Sequence, residues 1–370
     1  MRILITGYYG AGNFGDDIML ESFCKEMKII NPKIKIDILK LFDRELNIEL
    51  DNDVKIIDFY KLGRKVNTIV FMTMMKMKYD MFLWVGGTCF TDEDGDGLHH
   101  LMKRAKQCGK KIGYIGVGVG NLTNPERIEK TNYLLNLCDF ISLRDKRSYE
   151  YARKVRKNKN NIYLTEDLAY LFINKFNINK NKKEENNTKR ILVSWRNLIN
   201  YRTEEEEKEL INRLVNYLET LSEKNFDKEI IIIPLDDRKD CEKNKDIYDR
   251  VKRFENNYTK VSYNQLLTPR EKIKYLLECD VNISARLHGI FVSELCNIKT
   301  IAISYSIKIN EFLQSIGKEC DCINLDDLNE EKIDNVYNLE NSYINEDTIM
   351  HKINTSKENI YLLNKYLMND

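Results

Sequence analysis

The chain has 370 residues and 42% apolar content, with 59 Lys and Arg against 58 Asp and Glu for a net charge of +1. That length gives room for two domains of roughly 100–200 residues each, and the balanced charge argues against nucleic acid or another polyanion as partner. The opening MRILITG runs straight into an apolar strand pattern, and no window reaches the ~18 uninterrupted apolar residues of a membrane span. Nine scattered cysteines without a Cys-x-x-Cys read as reduced thiols and not as zinc ligands, so the expected compartment is the cytoplasm.

In chain order, Arg2 to Thr6 reads as a strand. It is followed by the glycine-rich run 7–17, GYYGAGNFGDD, and an amphipathic helix from Ile18 to about Ile30. Strand patterns recur at Lys33 to Leu41, Asp53 to Phe59, Met81 to Val85, Lys111 to Val117, Phe140 to Leu143 and Ile162 to Thr165. Helical patterns lie between them at Val66 to Tyr79, His99 to Gly109, Pro125 to Cys138 and Ser148 to Lys157. Alternating strands and helices predict a parallel sheet covered on both faces. The polar stretch 176–189 has linker composition. The alternation then restarts: strands at Ile191 to Trp195, Ile230 to Ile233, Val261 to Tyr263, Asp280 to Ser284 and Thr300 to Ser304, with helices between.

The predicted architecture is α/β: two Rossmann-like domains, 1–175 and 190–335, with a cleft between them, and a helical tail over 336–370 that packs back on the first domain. Ligands in open α/β sheets bind beyond the carboxyl ends of the strands, so residues just past strand ends are the site candidates.

Gly10-Ala-Gly12-Asn-Phe-Gly15 matches the dinucleotide fingerprint, and Asp37 stands near the ribose-binding acid position. That makes a dehydrogenase a rival. Against it, Asp16 and Asp17 follow the third glycine, where they would repel a pyrophosphate; they suit an N-cap or sugar hydroxyls instead. Gly12, Asn13, Gly15 and Asp17, with Gly86, Gly87 and Asp92 past the strand ending at Val85, form the acceptor-side set. Arg144, Arg196, Tyr305 and Lys308 each follow a strand end. In Ser284-Ala-Arg-Leu-His-Gly289, Arg286 and His288 fall in a strand-to-helix turn. There the guanidinium fork and the helix N-terminus suit an anion beside a movable proton.

The segments GYYGAGNFGDD (7–17), VGGTCFTD (85–92), GVGVGNL (116–122), SLRDKRS (142–148), TEDLAYL (165–171), SWR (194–196), SARLHGIFVSEL (284–295) and ISYSIKINEFLQSIG (303–317) resemble, in order, the CsaB-like polysaccharide pyruvyl transferase family. Leu168 after Asp167, and Ser306-Ile307 before Lys308, depart from that pattern. The resemblance implies a GT-B-type fold. It also implies transfer of a carboxyethylidene group from phosphoenolpyruvate, as co-substrate, to two hydroxyls of one sugar of a cell-surface polysaccharide or its precursor. No metal or other cofactor is implied.

With that chemistry, His288 would protonate the donor's methylene carbon, and Asp16 or Asp92 would take the proton of the attacking hydroxyl. Arg286, Arg144, Arg196, Lys308, Tyr305 and Gly289 would hold the donor. Acceptors in the family can be lipid-linked, and the basic, Met-rich helix Lys61 to Lys78 is a candidate for contact with the inner membrane face. The alternatives are a GT-B glycosyltransferase using a nucleotide sugar and a non-catalytic saccharide- or anion-binding protein.

Overall fold

The structure, a computed structural model, describes residues 1–46, 48–59, 64–93, 95–173 and 188–369. The chain divides into two compact units: Met1–Ala11, Gly15–Lys175 and Met350–Asp370 form the first, and Gly12–Phe14 with Phe176–Ile349 the second. The expected linker 176–189 lies outside the described residues up to 187, and Lys189 already belongs to a strand.

The first unit runs β1 (Arg2–Thr6), α1 (Phe14–Ile30), β2 (Lys35–Lys40), β3 (Lys55–Asp58), α2 (Arg64–Lys78), β4 (Met81–Val85), β5 (Thr88–Thr91), β6 (Gly95–Asp96), α3 (His99–Gln107), β7 (Lys111–Val119), α4 (Pro125–Leu137), β8 (Phe140–Leu143), α5 (Lys146–Val155), β9 (Ile162–Leu164) and α6 (Ala169–Ile173). Parallel pairing gives the order β3-β2-β1-β4-β7-β8-β9, with the β5–β6 hairpin laid on the far end of β7. Ile3, Leu4, Ile5, Phe82 and Leu83 are all fully buried, as near-continuous apolar strands must be when helices cover both faces. The order reverses between β1 and β4, so the loops after Thr6 and Val85 flank a topological switch point.

The second unit repeats the plan: β10 (Lys189–Ser194), α7 (Glu204–Ser222), β11 (Lys228–Ile232), α8 (Cys241–Val251), β12 (Thr259–Tyr263), α9 (Pro269–Glu278), β13 (Val281–Ser284), α10 (Leu287–Leu295), β14 (Lys299–Ser304), α11 (Ile307–Ser315), β15 (Cys322–Asn324) and α12 (Glu330–Asn338). Its parallel order is β12-β11-β10-β13-β14-β15, the Rossmann arrangement with its reversal between β10 and β13. Capping boxes at Thr203 and Thr268 start α7 and α9 by satisfying the otherwise orphaned first N–H groups.

The final helix, α13 (Glu346–Met368), begins in the second unit and from Met350 counts with the first. Its buried Asn359 accepts hydrogen bonds from Ser142 Oγ (2.6 Å) and Thr165 Oγ1 (2.8 Å), tying the helix to the ends of β8 and β9. Lys352 pairs with Glu166 at 2.6 Å.

Some expectations shift. α1 begins at Phe14, four residues before the expected Ile18, so Asp16 lies inside its first turn and is not the N-cap. α10 begins at Leu287 with Arg286 as N-cap, which puts His288 and Gly289 inside a helix and not in a turn. Asp37 is a mid-strand residue of β2, buried against Tyr79 Oη (2.6 Å) and Arg2, so the acid that made the dinucleotide fingerprint credible is structural. The hairpin β5–β6, α6, β15 and α12 were not anticipated, because they are too short or too polar to give a periodic signal. On α2, Val66, Ile69, Val70 and Met77 are exposed, while Lys61 to Gly63 of the anticipated basic helix lie outside the described residues. No helix among the described residues is long and apolar enough to cross a membrane.

Candidate functional site

In the second unit β10 and β13 are hydrogen-bonded neighbours with Ser194 opposite Ser284. Their exits, Trp195-Arg196 and Ala285-Arg286, therefore leave the sheet side by side at the switch point. The first turn of α8 stitches the two loops together. Asp240, fully buried at its N-cap, accepts from the Asn197 N–H (3.1 Å) and takes a two-pronged bond from Arg286, Nε–Oδ2 and Nη2–Oδ1 both at 2.6 Å. Asn244 accepts from the Trp195 N–H (2.9 Å) and donates to its carbonyl (2.7 Å). Asp236 adds a third contact to Arg286 Nη2 at 3.2 Å.

Burial alone would discourage the guanidinium charge, but Asp240 and Asp236 overcome it and push the Arg286 pKa well up. Arg286 is therefore not the open anion fork that the sequence suggests: two of its three nitrogens are committed, and only Nη1 makes no hydrogen bond to a described residue.

Arg196 is held by Tyr305 twice, through Nη1 to the phenol oxygen (2.6 Å) and with its guanidinium carbon 4.2 Å from the ring centroid. Tyr201 lies 5.2 Å away on the same cation. Such stacking suits Arg, whose planar, weakly hydrated cation keeps donor edges available while its face is covered. Lys308 sits half-buried in the first turn of α11, and His288 half-buried in the first turn of α10, its ring 6.2 Å from Phe291. Gly289 is explained by packing: a Cβ there would fall 2.4 Å from Leu235 Cδ1 and 3.0 Å from Ser284 Oγ. Gly12 and Asn13 also belong to this unit. Asn13 forms a bridge with Asp236, and the Gly12 carbonyl accepts from the Asp237 N–H at 3.0 Å.

In the first unit Gly86 and Gly87 turn the chain after β4 with φ of +76° and +74°, a region that costs other residues roughly 1–2 kcal/mol. Gly87 also lets the backbone approach the first turn of α1: a Cβ would stand 2.8 Å from Asp16 Oδ1. Asp16 is 6% exposed, and its charge is felt by Arg144. Arg144, expected among the donor ligands, belongs to this unit; it pairs with Asp167 and donates to Thr88 Oγ1 at 2.8 Å. Burial opposes its charge, but Asp167, Asp145 and Asp16 together raise its pKa.

Asp17 accepts from the Gly10 N–H at 3.3 Å and so anchors the glycine loop. Gly15 is the second residue of α1. Asp92 is drawn onto Thr123 N (2.6 Å), Thr123 Oγ1 (2.7 Å) and Asn124 N (3.1 Å). Its slight burial would raise its pKa, but those donors hold it below the usual carboxylate range. It anchors the loop before α4 and is poorly suited as a base. Asp236, Asp240, Asn244 and Thr88 were not singled out from sequence. The acid cluster Leu235-Asp-Asp-Arg-Lys-Asp240 just past β11 was the available signal.

The fold is shared with UDP-sugar proteins. UDP-GlcNAc 2-epimerase from Methanocaldococcus jannaschii matches with a TM-score of 0.66 and 12% identity over 99% of this chain and 100% of that one. The S. aureus MnaA–UDP co-structure matches at 0.64 and 11%, over 100% and 97%. Anabaena HepE in complex with UDP and glucose matches at 0.53 and 11%, over 98% and 94%. Comparison with curated proteins returned no match. The model of the polysaccharide pyruvyl transferase family matches residues 13–307, and the chain belongs to that family.

Proposed function

We propose that this transferase moves a carboxyethylidene group from phosphoenolpyruvate to two hydroxyls of one sugar, forming a cyclic ketal and releasing phosphate. The observation that carries the reading is the register Ser194↔Ser284, which sets Arg196 and the carboxylate-held Arg286 side by side at one switch point, with His288 in the first turn of the helix that follows. Phosphoenolpyruvate is a small, densely charged anion. Arg196, with Nη1 of Arg286, Tyr305 and Lys308, binds its phosphate and carboxylate, and the first turn of α10 adds its N–H groups.

His288 delivers a proton to the methylene carbon, making C2 electrophilic. A sugar hydroxyl attacks C2, with Asp16 accepting its proton. The C2–O bond to phosphate breaks, and a second hydroxyl closes the ketal. One hydroxyl proton is accounted for by the new methyl group and the other by the released phosphate. No metal or further cofactor is needed for these steps. The exposed Val66, Ile69 and Met77 beside Lys76 on α2 favour a lipid-linked acceptor presented at a membrane surface, which sedimentation with anionic against neutral vesicles tests.

A second reading, a nucleotide-sugar enzyme, is favoured by the UDP bound in two of the matching structures. Thermal unfolding with phosphoenolpyruvate, UDP-GlcNAc, NAD and inorganic phosphate separates the two, because a ligand that binds only the native state raises the midpoint. A rise with phosphoenolpyruvate that is lost in Arg196→Ala supports the proposal. A rise with UDP-GlcNAc alone replaces it.

A further inference from the structure

The first unit holds a cavity of about 430 Å³ that none of the residues discussed above accounts for. It opens beyond β2 and β3, between the starts of α2 and α3. Its size is that of a small-molecule site, roughly 300–1,000 Å³. Its lining has two characters. Phe59, Leu98 and Leu101 present apolar surface, whereas Thr68, Asp96 and His100 present hydroxyl, carboxylate and imidazole.

The polar groups are organised: Thr68 Oγ1 and His100 Nε2 are 3.1 Å apart, Asp96 Oδ1 accepts from the His99 N–H at 3.2 Å, and Asn67 holds the wall by donating to the Phe59 carbonyl at 2.6 Å. Leu98, one of the lining residues, has φ +56° as the N-cap of α3, without a side-chain cap bond. A leucine in that conformation is strained, and such strain gathers where a surface is shaped for a ligand.

Tyr8 approaches both the glycine turn after β4 and the residue that precedes Asp96. Its ring edge lies 3.8 Å from where a Gly87 Cβ would be, next to Asp16, while its hydroxyl crowds Gly95, the neighbour of Asp96.

We infer that this cavity binds a neutral pyranose, the sugar ring of the acceptor. Apolar walls suit the C–H faces of a pyranose, and uncharged or singly charged hydrogen-bonding groups suit its hydroxyls. Among the described residues the lining holds no arginine or lysine, and Asp96 puts a carboxylate in the wall, which a phosphate would meet unfavourably. The assignment to the acceptor rests on the reaction proposed above; the saccharide site itself does not.

The chain has only four histidines: His99, His100, His288 and His351. Selective histidine labelling of the full chain therefore gives an imidazole NMR spectrum with four signals, assigned by single His→Gln variants. Methyl glucoside, methyl galactoside and N-acetylmannosamine are titrated into the millimolar range. The expected result is a saturable shift of His100 with at least one sugar, while His288 and His351 stay fixed. Thr68→Trp, which fills the cavity, should abolish that shift, and Asp96→Asn, which keeps the volume and the helix-capping acceptor, should weaken it at least fivefold. No shift of His100 with any of the three sugars, or a shift that survives both variants, overturns the inference. Phosphoenolpyruvate added separately should move His288 alone; its failure would count against the donor reading and leave the sugar site standing.

Discussion

The two units have the same sheet plan and the same place for a ligand, yet they furnish it differently. In the first, a pair of left-handed glycines brings the backbone against a buried aspartate, Asp16. In the second, two strand exits set Arg196 and Arg286 side by side, with His288 in the first turn of the following helix, and the glycine of that stretch, Gly289, serves helix packing. Each unit also contains an arginine that looks from sequence like an open anion clamp and is instead held by a carboxylate, Arg144 by Asp167 and Arg286 by Asp240, which leaves Arg286 only Nη1 to offer a donor. The lesson is energetic. An unpaired guanidinium in a buried place is far too costly, so the fold supplies it with a partner before any substrate arrives. Arginines past strand ends therefore overcount ligand contacts.

The largest effect that tests this contrast is on chemistry. His288→Ala should lower phosphate release from phosphoenolpyruvate by about 10²–10⁴-fold, the usual contribution of a positioned proton donor, with the melting temperature nearly unchanged. A variant close to the wild-type rate removes His288 from the chemistry and leaves the second unit a mere anion holder. Next comes Asp240→Ala, which strips Arg286 of its bidentate partner. Breaking such a buried pair costs about 3–5 kcal/mol, to be read by urea unfolding, and Asp240→Ala/Arg286→Met should recover part of it. A loss below about 1 kcal/mol would mean that Arg286 is solvated after all and free to clamp.

The pH dependence is sharper still as a probe of the second unit. Glu294, on the inner side of α10, is 1% exposed; burial pushes its pKa up to about 7 from 4.5, against the pull of Lys318 at 3.3 Å. The folded state thus binds a proton that the unfolded chain releases. Its contribution to stability is present below pH 4.5 and lost as pH rises through about 7, a total of up to about 3 kcal/mol. Glu294→Gln should flatten that slope in unfolding measurements from pH 5 to 8; an unchanged slope assigns it to other groups.

The smallest effects compare the glycines. Gly289→Ala should cost about 1–3 kcal/mol of stability by overpacking, partly restored by Leu235→Ala. Gly87→Ala should cost roughly 1–2 kcal/mol for its backbone and, by displacing Asp16, also slow turnover. If Gly87→Ala destabilises without slowing turnover, Asp16 has no part in the reaction.

Much of this was readable in the chain itself. The strands of both sheets are runs such as Ile3 to Ile5 and Ile230 to Ile232, apolar without alternation, because helices cover both faces. Parallel connection forces the loops after those strands to one edge, so SWR, RLHG and the double glycine could be placed beyond strand ends from sequence alone, and their order carries the family. Tertiary structure decided which charges are spent. Whether Arg286 faces a ligand depends on Asp240, 46 positions earlier in sequence and two strands away in chain order. Whether Asp92 can act as a base depends on Thr123, and whether Asp37 meets a ribose depends on Tyr79. Local pattern encodes periodicity and turn chemistry, because these act between neighbours along the chain. Ion pairing and burial act through space, and only the folded register brings their partners within hydrogen-bonding distance of one another.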